Sequence, residues 1–244
     1  MKKIIVYILT TKSIEYDVFK SRRYIIKYIT LNYQSETEYL NEKDNNELTR
    51  VMEALRRCQE HYSEHYCIIL KDSSISCLNK EILSTILKET INIDDWDICY
   101  LCRWLDDCKR CQMVKECDQI KIIETFSPHG IQSLMFSPIG RRRLLNIEVL
   151  RNGEYFSPVT ICLDIYLNKL IGKRALKALA YSPNIFSFDP TKIRNDADTL
   201  KLSLCRIIPQ HEFQGVYPIS YYISIVGLAA LLLVAFHQIR RASS

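Results

Sequence analysis

Cys67-Ile68-Ile69-Leu70 is a short, unbroken apolar run that ends in the polar turn Lys71-Asp72-Ser73-Ser74. A run of this length without polar alternation reads as a strand covered on both faces. A strand covered twice needs packing elements above and below it, which restricts the chain to layered architectures. Its neighbours in sequence supply such elements. Leu48, Val51, Met52, Leu55, Cys58 and Tyr62 follow helical spacing, with Arg56, Arg57 and Glu60 on the opposite side. Leu78, Ile82, Ile86 and Leu87 repeat the pattern over 78–91. Further strands are expected at 3–9, 24–31, 96–102 and 120–123. The order strand, strand, helix, strand, helix, strand predicts an α/β domain, a mostly parallel sheet covered by helices, over residues 1–211. Residues 103–119 read as a charged excursion. Ser137-Pro138 opens another helix, expected to run through Val149 and stop at Asn152-Gly153. Residues 158–171 read as helical and 182–190 as extended.

The last part of the chain has a different composition. No charged residue occurs in 213–236, and Arg240-Arg241 follows. Roughly 20 apolar residues span a bilayer as a helix, and Tyr217, Tyr221 and Tyr222 lie where an aromatic belt would. Residues 212–244 are therefore expected to form a C-terminal anchor, one transmembrane helix at 219–236 followed by a basic tail. The apolar run at the N-terminus stops at Leu9 without a small-residue cleavage site. It reads as a strand, which favours the main domain of a single-pass membrane protein in the cytosol; by the positive-inside rule Arg240-Arg241 would instead put the domain in a lumen. The ten cysteines are then expected to stay reduced. A net charge of +5 permits contact with phosphates or acidic lipid without requiring a nucleic-acid partner, and none is expected.

Ligands of open α/β sheets bind outside the carboxyl ends of the strands, which makes Asp72 a site candidate. The other reading is a turn in which Asp and Ser serve local geometry alone. Cys99, Cys102, Cys108, Cys111 and Cys117 contain two C-x2-C pairs, a pattern that can supply thiolates to zinc. The spacer is short, however, and an odd offset within a strand points Cys99 and Cys102 to opposite faces, so buried thiols are expected. Arg141-Arg142-Arg143 at a helix start reads as a solvated basic face, because three successive helical side chains diverge. His129 and His211 have no partner at ligand spacing. Nucleophile-elbow, P-loop, dinucleotide and zinc-protease motifs are absent.

The pieces, taken in order, resemble the glycosyltransferase family 25 group, which includes lipopolysaccharide glycosyltransferases, collagen β-galactosyltransferases and relatives in large DNA viruses. The resemblance covers roughly residues 1–190. It rests on the strand ending in Lys71-Asp72-Ser73, on Trp96-Asp97-Ile98-Cys99-Tyr100-Leu101, and on Ser127-Pro128-His129-Gly130-Ile131-Gln132-Ser133-Leu134-Met135-Phe136-Ser137-Pro138-Ile139-Gly140. Pro158 to Asp164 and Ser182-Pro183-Asn184-Ile185-Phe186 resemble the later segments. It implies a GT-A fold that binds a nucleotide sugar, usually with Mn²⁺. On this chain Asp72 would contact the metal or ribose and act in transfer, Lys71 and Ser73 would bind donor, and Asp164 would contact the acceptor.

Where the group carries Glu-Asp-Asp, this chain has Lys71-Asp72-Ser73. Either Lys71 replaces the metal as the phosphate-binding cation, or the domain is a non-catalytic, tail-anchored scaffold that keeps the fold. Asp106-Asp107 is a possible second acidic pair; its other reading is a solvated loop.

Overall fold

The computed structural model describes residues 3–10, 17–30, 40–103, 106, 110–117, 119–147 and 163–188. The expected membrane span at 219–236, the tail, His211, Asp107, Cys108 and the predicted helix end at 149–153 lie outside the described residues. Among the described residues, no helix is long and apolar enough to cross a membrane.

Ten strands and four α-helices are described, and all follow in chain order: β1 Ile4–Thr10, β2 Tyr24–Thr30, α1 Leu40–His61, β3 Tyr66–Lys71, β4 Ser74–Ser76, α2 Lys80–Ile91, β5 Ile98–Cys102, β6 Gln112–Cys117, β7 Ile120–Thr125, β8 Ser133–Phe136, α3 Pro138–Leu145, α4 Leu163–Gly172, β9 Ala178–Ser182 and β10 Phe186–Phe188. Eight of the strands form one sheet in the order β2-β1-β3-β8-β5-β9-β7-β6, while β4 and β10 make a separate antiparallel pair.

The sheet is mixed, which corrects the mostly parallel one expected. Six strands point one way, but β8 and β7 run opposite and are interleaved among them. Four of the seven neighbour pairs are therefore antiparallel. Three strands of this sheet, β6, β8 and β9, are not among those expected from sequence. Ser133–Phe136 is a four-residue buried segment running straight into a helix. Gln112–Cys117 is an edge strand, exposed over most of its length, so it lacks the apolar alternation that burial imposes.

Alternation sorts the strand side chains onto two faces. Ile4, Val6, Ile8, Ile68 and Leu70 pack on one face with Leu83, Ile86 and Leu87 of α2. Ile5, Tyr7, Leu9, Cys67 and Ile69 pack on the other with Val51, Met52 and Leu55 of α1, Leu144 of α3 and Leu163, Leu167 and Ile171 of α4. The doubly covered strand read from Cys67 to Leu70 is thus β3. Cys99 and Cys102 do not diverge as expected. A register shift between Tyr100 and Cys102 resets the alternation, and both thiols join the α2-side core. Among the described residues no three His, Cys, Asp or Glu side chains group as metal ligands.

Helix α3 starts as read, with Ser137 Oγ accepting from Gly140 N at 2.9 Å and Pro138 in the first turn. It stops at Leu145, capped by Asn146, well before Asn152-Gly153. Arg141 is not on a solvated face. It is fully buried, and its guanidinium donates to Gln59 Oε1, Cys58 Sγ and the carbonyls of Tyr62, Ser63 and His65. The three carbonyls belong to the turn that follows α1, so Arg141 ties α3 to the end of α1 and the entry of β3.

Candidate functional site

Strands β1, β2, β3, β5 and β9 share one direction, so Thr10, Thr30, Lys71, Cys102 and Ser182 all end at one edge of the sheet. From β1 the chain goes to β2 on one side and to β3 on the other. The strand order therefore reverses between β1 and β3, and such reversals open a crevice at the carboxyl ends. The Lys71-Asp72-Ser73 turn stands there. Asp72 N–H donates to Leu9 O at 3.0 Å, closing the turn against β1. All three side chains are partly exposed.

The turn is braced from the β8 side. Lys71 N–H donates to Gln132 O at 2.8 Å. Ser74 Oγ donates to the same carbonyl at 2.8 Å and accepts from Ser133 Oγ at 2.9 Å. Beyond it, β4 pairs with β10, Ser74 opposite Phe188 and Ser76 opposite Phe186, so the exit of the turn is held in a second sheet.

Asp164 sits in the first turn of α4 and is buried. Its Oδ1 accepts from Gly130 N–H at 2.9 Å, and its Oδ2 lies 3.3 Å from His129 Nδ1. Gly130 has φ of 125°, a conformation open to glycine and strained for other residues. One residue, Ile131, separates Gly130 from Gln132, about 7 Å of chain, so the segment 129–133 links Asp164 to the Lys71 turn. Two candidates far apart in sequence thus lie at one end of the sheet. His129, which has no partner at ligand spacing in sequence, finds one across the fold. The signal that could have marked it is its place in the Ser127–Gly140 segment that carries the family resemblance.

Asp106 is not in a solvated loop. It is 2% exposed, ion-paired with the fully buried Arg103, and accepts from Thr125 Oγ1 at 2.5 Å and Cys111 Sγ at 3.4 Å. Burial, with Asp106 adding to it, pushes the Cys111 thiol up to about 12. Asn184 holds the Arg103 backbone from both sides, accepting from its N–H at 3.2 Å and donating to its carbonyl at 2.8 Å. Asp106 is therefore committed to a structural ion pair. Between the two buried acids lies Tyr100, whose hydroxyl has no hydrogen-bond partner among the described residues. Burial first, then Asp164 and Asp106, hold its pKa well above the phenol range.

At the Lys71 turn the described residues offer one carboxylate, Asp72, beside an ammonium. That donor set does not fit a divalent cation, which takes several oxygen ligands.

No family model and no curated protein matches the chain. Among solved structures, the crystal structure of A197 from STIV is similar with a TM-score of 0.42 and 11% identity, over 74% of this chain and 83% of that one.

Proposed function

We propose that the crevice at the carboxyl ends of β1 and β3 binds a nucleotide sugar, and that the chain transfers its sugar to an acceptor on a GT-A-like fold. The observation that supports this best is the position of Lys71-Asp72-Ser73 at the strand-order reversal, the place where open α/β sheets take their ligands. The buried Asp164, reached through the 129–133 segment, supplies a second polar group at the same end.

In such a transfer an acceptor hydroxyl oxygen attacks the anomeric carbon and gives up its proton to solvent, the bond to the diphosphate oxygen breaks, and the diphosphate leaves with the electron pair. Positive charge aimed at the departing phosphate lowers that barrier. Lys71 takes this role in our reading, with Asp72 on the ribose, Ser73 on the donor and Asp164 on the acceptor side. The glycosyltransferase group named above usually employs Mn²⁺ instead; with one carboxylate at the turn, no step is assigned to it here. Residues 219–236 would hold the protein to a membrane with the domain on the cytosolic side.

A melting assay of the full-length protein against nucleoside diphosphates and nucleotide sugars, with and without Mn²⁺, tests the reading. A ligand at about 100 times its dissociation constant stabilises a fold by about 2.7 kcal/mol. The expected result is a metal-independent upward shift that Lys71→Ala and Asp72→Asn reduce. A shift that requires Mn²⁺ returns the metal to the mechanism. No shift with any donor favours a non-catalytic scaffold, a reading to which the single carboxylate of the turn also lends weight.

A further inference from the structure

A cavity of about 620 Å³ opens at the other end of the sheet, beside the amino ends of β5 and β9. The five-residue β5 separates the two ends by about 16 Å. Arg143, Arg174, Lys177 and Phe126 line it. A second cavity of about 320 Å³ shares Phe126 and Arg174 with it and adds Arg110.

The four cations are not equally engaged. Arg143 donates to the buried Asp97 at 2.6 Å. Lys177 lies 3.6 Å from Asp95 and 3.9 Å from Glu124. Arg110 and Arg174 have no carboxylate partner among the described residues. Arg110 Cζ lies over the Phe126 ring, 5.3 Å from its centroid, a cation–π contact that restrains the guanidinium beside both cavities. Arg174 follows the end of α4 with φ of 60°, the position at which helices favour glycine. Asp95, on the rim of the same cavity, is also left-handed, with φ of 54°. Backbone held in such conformations by non-glycine residues concentrates at functional sites.

We propose that this cavity is an anion site for the phosphate or diphosphate group of a phosphorylated ligand, bound by the guanidinium forks of Arg110 and Arg174 at the Phe126 ring. Guanidinium matches phosphate with paired hydrogen bonds, and two guanidinium groups without a carboxylate partner among the described residues leave charge for an anion to neutralise. The phosphate belongs either to a soluble molecule or to a lipid headgroup. This proposal is independent of donor binding at the Lys71 turn.

The test is calorimetric titration of the full-length Lys71→Ala chain, in which phosphate binding at the opposite end is weakened, with sodium pyrophosphate and with short-chain phosphatidic acid as probes. Binding is expected to weaken on the order of tenfold in each of Arg110→Ala and Arg174→Gly, and to weaken as salt rises. Arg174→Gly suits the left-handed backbone, so its loss of binding is not a loss of folding. Tighter binding of pyrophosphate identifies a soluble ligand, and tighter binding of the lipid a headgroup. A cation is also favoured at a helix C-terminus for its own sake. If that is all Arg174 does, Arg174→Gly leaves the affinity unchanged, and the proposal is overturned. It is equally overturned if neither probe binds the Lys71→Ala chain.

Discussion

At the scale of single residues, buried polar groups divide into those with partners and those without. Arg141 has five acceptors, so a charge that is costly to bury alone becomes a tie between helices. His65, whose carbonyl is one of those acceptors, has a buried Nδ1 with no hydrogen-bond partner among the described residues. Burial, followed by the charges of Lys3 and Arg141, holds its imidazole below the ordinary range. The unfolded chain therefore takes up a proton at higher pH than the folded one does. The stability His65 contributes is present above its unfolded pKa of about 6.5 and is lost as pH falls from there towards its lower folded value. Urea melts at pH 8, 6.5 and 5 are expected to show stability declining across this window, with a shallower decline in His65→Asn. Equal declines in both proteins would refute the assignment.

At the scale of elements, α3 shows how one small residue sets a packing distance. A Cβ on Gly140 would lie 2.1 Å from Asp97 O and 2.3 Å from Asp97 Cα, and a backbone cannot yield as a flexible side chain can. The contact is reinforced, since Ser137 N–H donates to Asp97 O at 3.0 Å and Ser137 Oγ to Trp96 O at 2.6 Å. Asp97 Oδ2 in turn accepts from Arg143 and from Lys177 N–H. Gly140→Ala is expected to destabilise the protein by about 3 kcal/mol through overpacking, read as a lower urea midpoint at unchanged slope. A variant within about 0.5 kcal/mol of the parent, the range of surface changes, would mean that α3 can slide. The Trp96-Asp97 and Ser137–Gly140 segments, read in sequence as family motifs, are thus also one packing joint.

At the scale of the whole molecule, the 129–133 segment makes the candidate site a shared property of β3, β8 and α4. If a nucleoside diphosphate binds at the Lys71 turn, amide exchange is expected to slow together at Lys71, Asp72 and Gly130, while the Arg174 end stays unchanged. Slowing at Arg174 instead would move the ligand to the other end of the sheet. Much of this architecture was legible in sequence. Burial leaves a periodic trace, so β1, β2, β3, β5 and the helix α2 could be read within a few residues, and the Ser137-Pro138 start of α3 follows from capping chemistry; α1 was legible from its apolar period but begins at Leu40, well before Leu48. The turn at the end of β3 was legible too, because strand polarity is written in chain order. Strand direction across the sheet was not, since whether β8 inserts between β3 and β5 depends on pairing between residues far apart in the chain. The same holds for His129 with Asp164, Arg103 with Asp106, and the capture of the end of α1 by Arg141. The sequence alone determined which residues are apolar and where several of the elements begin. Only the tertiary structure decided which polar groups meet, because a hydrogen bond depends on distance in space, and separation along the chain does not set that distance.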